Sequence, residues 1–163
     1  GGTAGGSISN LARITQSDDY NDATIKQINN SQRNQAEITQ TGSFHDAFIY
    51  QKDGALDGRA TIMQSGGGFG NGNVATITQQ NSSDGGDAGT VGSEATITQM
   101  GQRNLADVKQ GTMATAVSDA FASVTQTGND NLTRLQQTGD NQRATISQTG
   151  NNNVVSGDPS LVT

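Results

Sequence analysis

Asn34-Gln35-Ala36-Glu37-Ile38-Thr39-Gln40-Thr41-Gly42 is the stretch on which the fold turns. It places a small residue, an aliphatic residue and a Gln at every second position. The same phrase stands earlier as Leu11-Ala12-Arg13-Ile14-Thr15-Gln16 and Asp22-Ala23-Thr24-Ile25-Lys26-Gln27, and eleven copies run along the chain. The aliphatic position is Ile14, Ile25, Ile38, Ile49, Ile62, Ile77, Ile97, Val108, Val124, Leu135 and Ile146. The Gln is Gln16, Gln27, Gln40, Gln51, Gln64, Gln79, Gln99, Gln110, Gln126, Gln137 and Gln148. Two residues before the small one, and so of the same parity, stands an Asn in most copies: Asn10, Asn21, Asn34, Asn73, Asn104, Asn131 and Asn153. A period of two is that of a strand with one face carrying this set and the other carrying Thr, Arg, Lys, Glu and Asp. A twelfth copy begins at Asn153-Val154-Val155 and breaks at Gly157-Asp158-Pro159.

The connections have a second period. Links after odd-numbered copies are mostly four residues long (17–20, 41–44, 100–103, 127–130, 149–152), with a longer glycine-rich one at 65–72. Links after even-numbered copies vary (28–33, 52–57, 80–92, 111–119, 138–141). One tight edge and one tolerant edge predict an all-β, two-sheet parallel β-solenoid of six two-strand coils, with repeated units stacked on their neighbours. Stacked at about 4.8 Å, the coils would bring like residues into columns. Buried amides are costly unless paired, and an amide can donate to the layer on one side while accepting from the other. The expected organisation is a flexible glycine-rich segment at 1–7, the solenoid over 8–157 and a tail at 158–163. Pro159 falls where a twelfth ladder Gln would stand and would blunt that corner, because Pro donates nothing to a ladder. The remaining strand edges invite pairing with another chain, in a cross-β fibre.

Composition narrows the function classes. Apolar residues make up 30% of the chain, against about 45–50% in ordinary domains, while Asn and Gln number 15 and 17 and Gly 22. A net charge of −6 argues against a nucleic-acid backbone as partner. Without Cys there is no disulfide framework, thiol chemistry or cysteine zinc site. No apolar run is long enough for a membrane span. The start at Gly1 is read as a processed product whose signal peptide has been removed.

The phrase Asn-x-Ala-x-Ile-x-Gln-x-Gly, as it stands in Asn34 to Gly42, resembles the curlin repeat of curli major subunits, and the likeness extends over roughly residues 8–157. The resemblance implies a bacterial functional amyloid of the biofilm matrix: an extracellular, cell-surface fibre made as a head-to-tail homopolymer. It also implies a nucleating minor subunit, an outer-membrane export pore and periplasmic chaperones as partners. Gly1–Gly6 is similar to the export segment of that family. Curli subunits commonly have five regular repeats; here there are six with uneven links and a long insertion at 80–92. Growth is expected by templated strand addition, with the Gln, Asn and aliphatic columns as the contacts.

Catalytic readings find little purchase. His45 is the single histidine and replaces an Asn, with no nucleophile in the pattern beside it. Asp18-Asp19 and Asp84-Gly85-Gly86-Asp87 match neither calcium-loop spacing and read as solvated acidic turns. Gly66-Gly67-Gly68-Phe69-Gly70 lacks the helix and Lys of a phosphate cradle. Phe48 and Tyr50 point outward, as a lateral filament contact or simply an exposed pair. Outward acids (Asp22, Glu37, Asp46, Glu94, Asp107) are scattered over both faces, unlike the clustered pair of a polysaccharide-cleaving solenoid. No catalytic residue, cofactor or metal is expected. The rival reading is a monomeric ice-binding solenoid, from the outward Thr15, Thr39, Thr98 and Thr125 with Thr61, Thr96 and Thr145 beside them, a face that Arg13 and Glu37 interrupt.

Overall fold

The computed structural model of the chain describes residues 9–83, 92–112 and 117–157. The segments 1–7 and 158–163, with Pro159, and the acidic stretch Asp84–Asp87 lie outside the described residues. Every element in the described part is a strand. In chain order these are β1 (Leu11–Ser17), β2 (Asp22–Ile28), β3 (Gln35–Gly42), β4 (Asp46–Lys52), β5 (Arg59–Gly66), β6 (Val74–Gln80), β7 (Ser82–Ser83), β8 (Glu94–Gln102), β9 (Leu105–Gln110), β10 (Val117–Ser118), β11 (Phe121–Asn129), β12 (Leu132–Gln137), β13 (Arg143–Thr149) and β14 (Val154–Gly157).

Twelve of them form two six-stranded sheets, β1-β3-β5-β8-β11-β13 and β2-β4-β6-β9-β12-β14. All pairings are parallel. Each coil is one strand from either sheet, so the solenoid has the six coils that the alternating links predict. Register is by identity. In the first sheet Ala12, Ala36, Ala60, Ala95, Ala122 and Ala144 lie one above another, and Ile14, Ile38, Ile62, Ile97, Val124 and Ile146 form the next column. In the second sheet Ile25, Ile49, Ile77, Val108 and Leu135 align and end on Gly157. A shift of one residue would turn these columns outward, so one buried face specifies the register.

The core lies between the sheets and is only two side chains wide, one column of small residues and one of aliphatics from each side. From coil 2 to coil 5 it is closed: Ile38, Ile49, Ile62, Ile77, Ile97, Val108 and Val124 are fully buried. The tight edge is shaped by backbone that only Gly accepts easily. Gly128 has φ +113°, and a Cβ there would lie 2.1 Å from the Gly150 carbonyl oxygen of the next coil. The tolerant edge holds a feature that periodicity does not forecast. Its two longest links pair with each other, β7 with β10, as a two-stranded parallel sheet, and Gln32 bridges Leu56 in the same parallel sense. Val117, Ala55 and Ala120 close this edge with full burial.

Burial along one column is graded, and this is measurable. Ile97 is fully buried whereas Ile14, at the same place in coil 1, is 45% exposed. Ile97→Ala is expected to cost about 2–5 kcal/mol and Ile14→Ala clearly less, read as shifts of the urea midpoint at unchanged slope on the unassembled chain.

Candidate functional site

The amides occupy the two corners where the sheets meet. Because the strands of one sheet run opposite to those of the other, the Gln that closes a strand in one sheet lies beside the start of a strand in the other. On the first sheet each Gln donates Nε2 to the Oε1 of the next coil's Gln: Gln16 to Gln40 at 2.7 Å, Gln40 to Gln64 at 3.0 Å, Gln64 to Gln99 at 2.9 Å, Gln99 to Gln126 at 2.8 Å and Gln126 to Gln148 at 2.8 Å. On the second sheet the series runs Gln27, Gln51, Gln79, Gln110 and Gln137, at 2.8–3.0 Å. From Gln27 onward the second N–H of the amide is spent on the facing sheet. Gln51 reaches the Gln35 and Gly58 carbonyls at 3.1 and 2.9 Å, Gln99 the Val74 carbonyl at 3.0 Å, and Gln148 the Leu132 carbonyl at 3.1 Å. One side chain therefore ties coil to coil and sheet to sheet. All the Gln residues from Gln40 to Gln148 in these two series are buried, where a paired amide rigidifies and an unpaired one would be expensive.

The Asn residues divide into two columns. On the second sheet Asn21, His45, Asn73, Asn104, Asn131 and Asn153 share one position, and all but the last accept the backbone N–H of the coil that follows: Asn104 N–H donates to Asn73 Oδ1 at 3.0 Å, Asn131 N–H to Asn104 Oδ1 at 3.1 Å and Asn153 N–H to Asn131 Oδ1 at 3.1 Å. Their Nδ2 groups donate to the glycine carbonyls of the tight edge, Asn104 to Gly128 and Asn131 to Gly150, both at 2.8 Å. On the first sheet the column is short. Asn34 N–H donates to Asn10 Oδ1 at 2.9 Å and Gly58 N–H to Asn34 Oδ1 at 2.7 Å; Gly58, Ser93, Ala120 and Gln142 then take the position. The two ladders have opposite sense. Gln donates toward the C-terminal coil, and Asn accepts from it.

At the ends the columns stop with these groups open. Every residue of β1 is exposed, whereas β3 and β11 bury every second residue. In coil 6, Ala144 and Ile146 are only partly buried, whereas Ala122 and Val124 beneath them are fully so. Among the described residues nothing donates to Gln16 Oε1, and Gln148 Nε2 has one partner where Gln99 has two. Among the described residues no coil lies beneath Asn21, at the bottom of its column, and none above Asn153 Oδ1.

Other side chains qualify the pattern. Thr133 stands in a column between Ala106 and Val155 and links two Gln rungs, donating to Gln148 Oε1 at 2.8 Å and accepting from Gln126 Nε2 at 3.2 Å; spacing alone marks it only as small. On the tight edge the rings of Tyr20 and Phe44 stack at 4.9 Å and 12°, and Phe44 meets Phe69 at 6.1 Å. Further up that edge Arg103 holds Asp130 by two hydrogen bonds of 2.7 and 2.6 Å. The Arg103 hydrogen bonds keep the Asp130 carboxyl below its usual range. Phe48 and Tyr50 stack outward at 6.5 Å, with Lys26 5.5 Å from the Tyr50 ring. Arg13 pairs with Glu37 at 3.8 Å across the Thr-bearing face. Among the described residues no group of three His, Cys, Asp or Glu side chains could hold a metal ion.

A mid-ladder break should cost far more than one at the end. Gln99→Leu leaves the Gln64 donor and the Gln126 acceptor unmatched in the closed core, at about 1–3 kcal/mol for each orphaned group. Gln16→Leu removes one half-exposed bond and is expected to fall well short of that, both read by chemical denaturation of the unassembled chain.

The family model described as the curlin associated repeat matches residues 128–156. That span begins in the turn of β11, takes in β12 and β13 and ends within β14, where the step between successive Gln rungs is shortest, 22 residues from Gln126 to Gln148 against 35 from Gln64 to Gln99. Searches of the curated proteins and of the solved structures returned no match. The chain thus carries the curlin associated repeat in its last coils, and the same in-register stacking runs back through the earlier ones.

Proposed function

We propose that the chain is a non-catalytic structural subunit that adds copies of itself end on into an extracellular, curli-like filament of the biofilm matrix. The observation that carries this reading is the state of the two ends. Coils 1 and 6 leave open, wholly or in part, the Ala and Ile columns that are closed in coils 2–5, and their unmatched amide groups are complementary. Coil 6 offers a spare Gln148 N–H and the Asn153 Oδ1; coil 1 offers the Gln16 Oε1 and the Asn21 backbone N–H. Placing coil 6 of one copy on coil 1 of the next sets Ala144 against Ala12, Ile146 against Ile14 and Gln148 against Gln16. That is the register the chain already uses internally.

Joining like ends instead would set acceptor against acceptor at Gln16 or donor against donor at Gln148. A contact between two different faces repeats without closing and yields an open filament rather than a dimer. Growth is then templated strand addition: the edge of the last coil orders an incoming chain as β-augmentation does. Family resemblance supports the remaining assignments, namely export through an outer-membrane pore with periplasmic chaperones and initiation by a nucleating subunit at the cell surface.

Two charged variants separate the possible junctions. Ile14→Lys should disable only the coil-1 face and Ile146→Lys only the coil-6 face, because an unpaired buried charge is strongly disfavoured. Neither variant alone should polymerise, while an equimolar mixture should give one-to-one dimers by sedimentation velocity. A single variant that dimerises by itself, or a mixture that stays monomeric while the wild-type chain also fails to form filaments, overturns the reading.

A further inference from the structure

Two irregularities of the repeat meet at one corner. His45 stands in the Asn column of the second sheet, and the link that passes over it, 65–72, is twice the length of the others on the tight edge. In the structure the imidazole is fully buried. Its Nδ1 accepts the backbone N–H of Asn73 at 3.0 Å, taking the part that a carboxamide oxygen plays in the coils above. Its Nε2 lies 3.3 Å from the Thr41 carbonyl oxygen. A carbonyl only accepts, so the proton sits on Nε2 and Nδ1 is bare: the ring is neutral and in one tautomer.

The glycine link makes the room that this larger ring needs. A Cβ on Gly67 would lie 3.0 Å from His45 Cε1 and 2.4 Å from the Ser43 oxygen, and one on Gly72 would lie 1.4 Å from the Phe44 oxygen. The histidine and the long link are therefore one device, separated by some twenty residues of sequence.

The charged groups around the ring are few. On its own strand Asp46 follows it. From coil 1, Asp22 lies in register beneath Asp46, and Asp18 accepts the Gly42 N–H at 2.9 Å. The 65–72 link contains no titratable residue. From coil 4, Arg103 reaches Asn71 Oδ1 at 3.4 Å while bound to Asp130.

We propose that His45 is a proton-operated latch on the corner joining coils 2 and 3, closed when Nδ1 is bare and released when a proton from solvent occupies it. A proton on Nδ1 removes the acceptor of the Asn73 N–H and puts a charge into a fully buried site. Burial holds the His45 basicity below its ordinary value, against the opposing pull of the Thr41 and Gly66 backbone hydrogen bonds and of Asp46. The sign follows from linkage. A base favoured neutral in the fold contributes stability that is full above the unfolded value of 6.5 and declines as pH falls below it. Asp46 works in the other direction: burial, then Asp22, raises its pKa above 3.8, so its protonation favours the fold at lower pH. The consequence for assembly, slower filament growth in mild acid, rests on the reading of the previous section; the latch itself does not.

The test is amide exchange on the full chain, comparing the Asn73 N–H with the Asn104 N–H, which makes the same bond to an amide oxygen. After correction for intrinsic rates, Asn73 protection should fall by about tenfold per pH unit below 6.5, while Asn104 holds. His45→Asn should remove the difference, and Asp46→Asn should leave it. If filaments form, wild type should elongate more slowly at pH 5.5 than at pH 7.5, and His45→Asn should not. Equal behaviour of Asn73 and Asn104 in the wild-type chain overturns the latch, as does an acid loss retained in His45→Asn. A direct NMR titration of the wild-type ring decides the matter even if that variant fails to fold: a ring that protonates at or above 6.5 in the folded chain also overturns it. A chain that never polymerises refutes the filament reading and leaves the exchange result to stand or fall separately.

Discussion

An amide that hydrogen-bonds its own counterpart one coil away is the constraint from which the rest of this structure follows. Gln is tolerable in a dry core only if both ends of its carboxamide are engaged, and a parallel stack in register provides a partner of the right kind at the right height. Register errors are then penalised twice, once by turning the aliphatics outward and once by orphaning the amides. That double penalty allows a chain with so little apolar mass to hold one alignment. It also dictates that neighbouring coils be alike, since a rung is only as good as the rung it meets.

The same constraint explains where variation is permitted. Links on the tolerant edge lie outside the ladders, and the step between successive Gln rungs ranges from 22 to 35 residues without disturbing which residue meets which. Corner positions under the tight turns are less free. There, replacing Asn by His goes together with four extra link residues and with glycines where a side chain would collide with backbone. Because every ladder contact joins residues more than twenty apart, folding must close long loops before any rung forms, and such topologies fold slowly. In the filament proposed above, an existing edge would supply the missing partner in advance and shorten that search.

Much of this was legible before any coordinates. Alternation in Leu11–Gln16 and its copies specifies strands, and the identity of the copies specifies a parallel, in-register stack, so the two-sheet parallel solenoid is as the repeat predicts. What escaped was chemistry at single positions and contacts between irregular segments. Asn10 and Asn34 read as members of one Asn series, yet they form a separate two-rung column, because odd and even strands feed opposite corners. The β7–β10 pair is two residues long, too short to carry a period. Thr133 is small enough to pass for an Ala, and its hydroxyl matters only because two Gln rungs happen to flank it. His45 was visible as an Asn substitute, but its tie to the glycine link depends on one coil lying over another.

The opposed sense of the two amide series has an electrostatic outcome. A carboxamide resembles a peptide unit, whose dipole is about 3.5 D, and identical dipoles in file would build opposite partial charges at the two ends, as they do in an α-helix. Here the Gln files point one way and the Asn file the other, so their fields partly cancel however many coils are stacked. Stacking further coils therefore adds little to the axial dipole of the amide files, and the long-range field is left to the charged side chains, which salt screens.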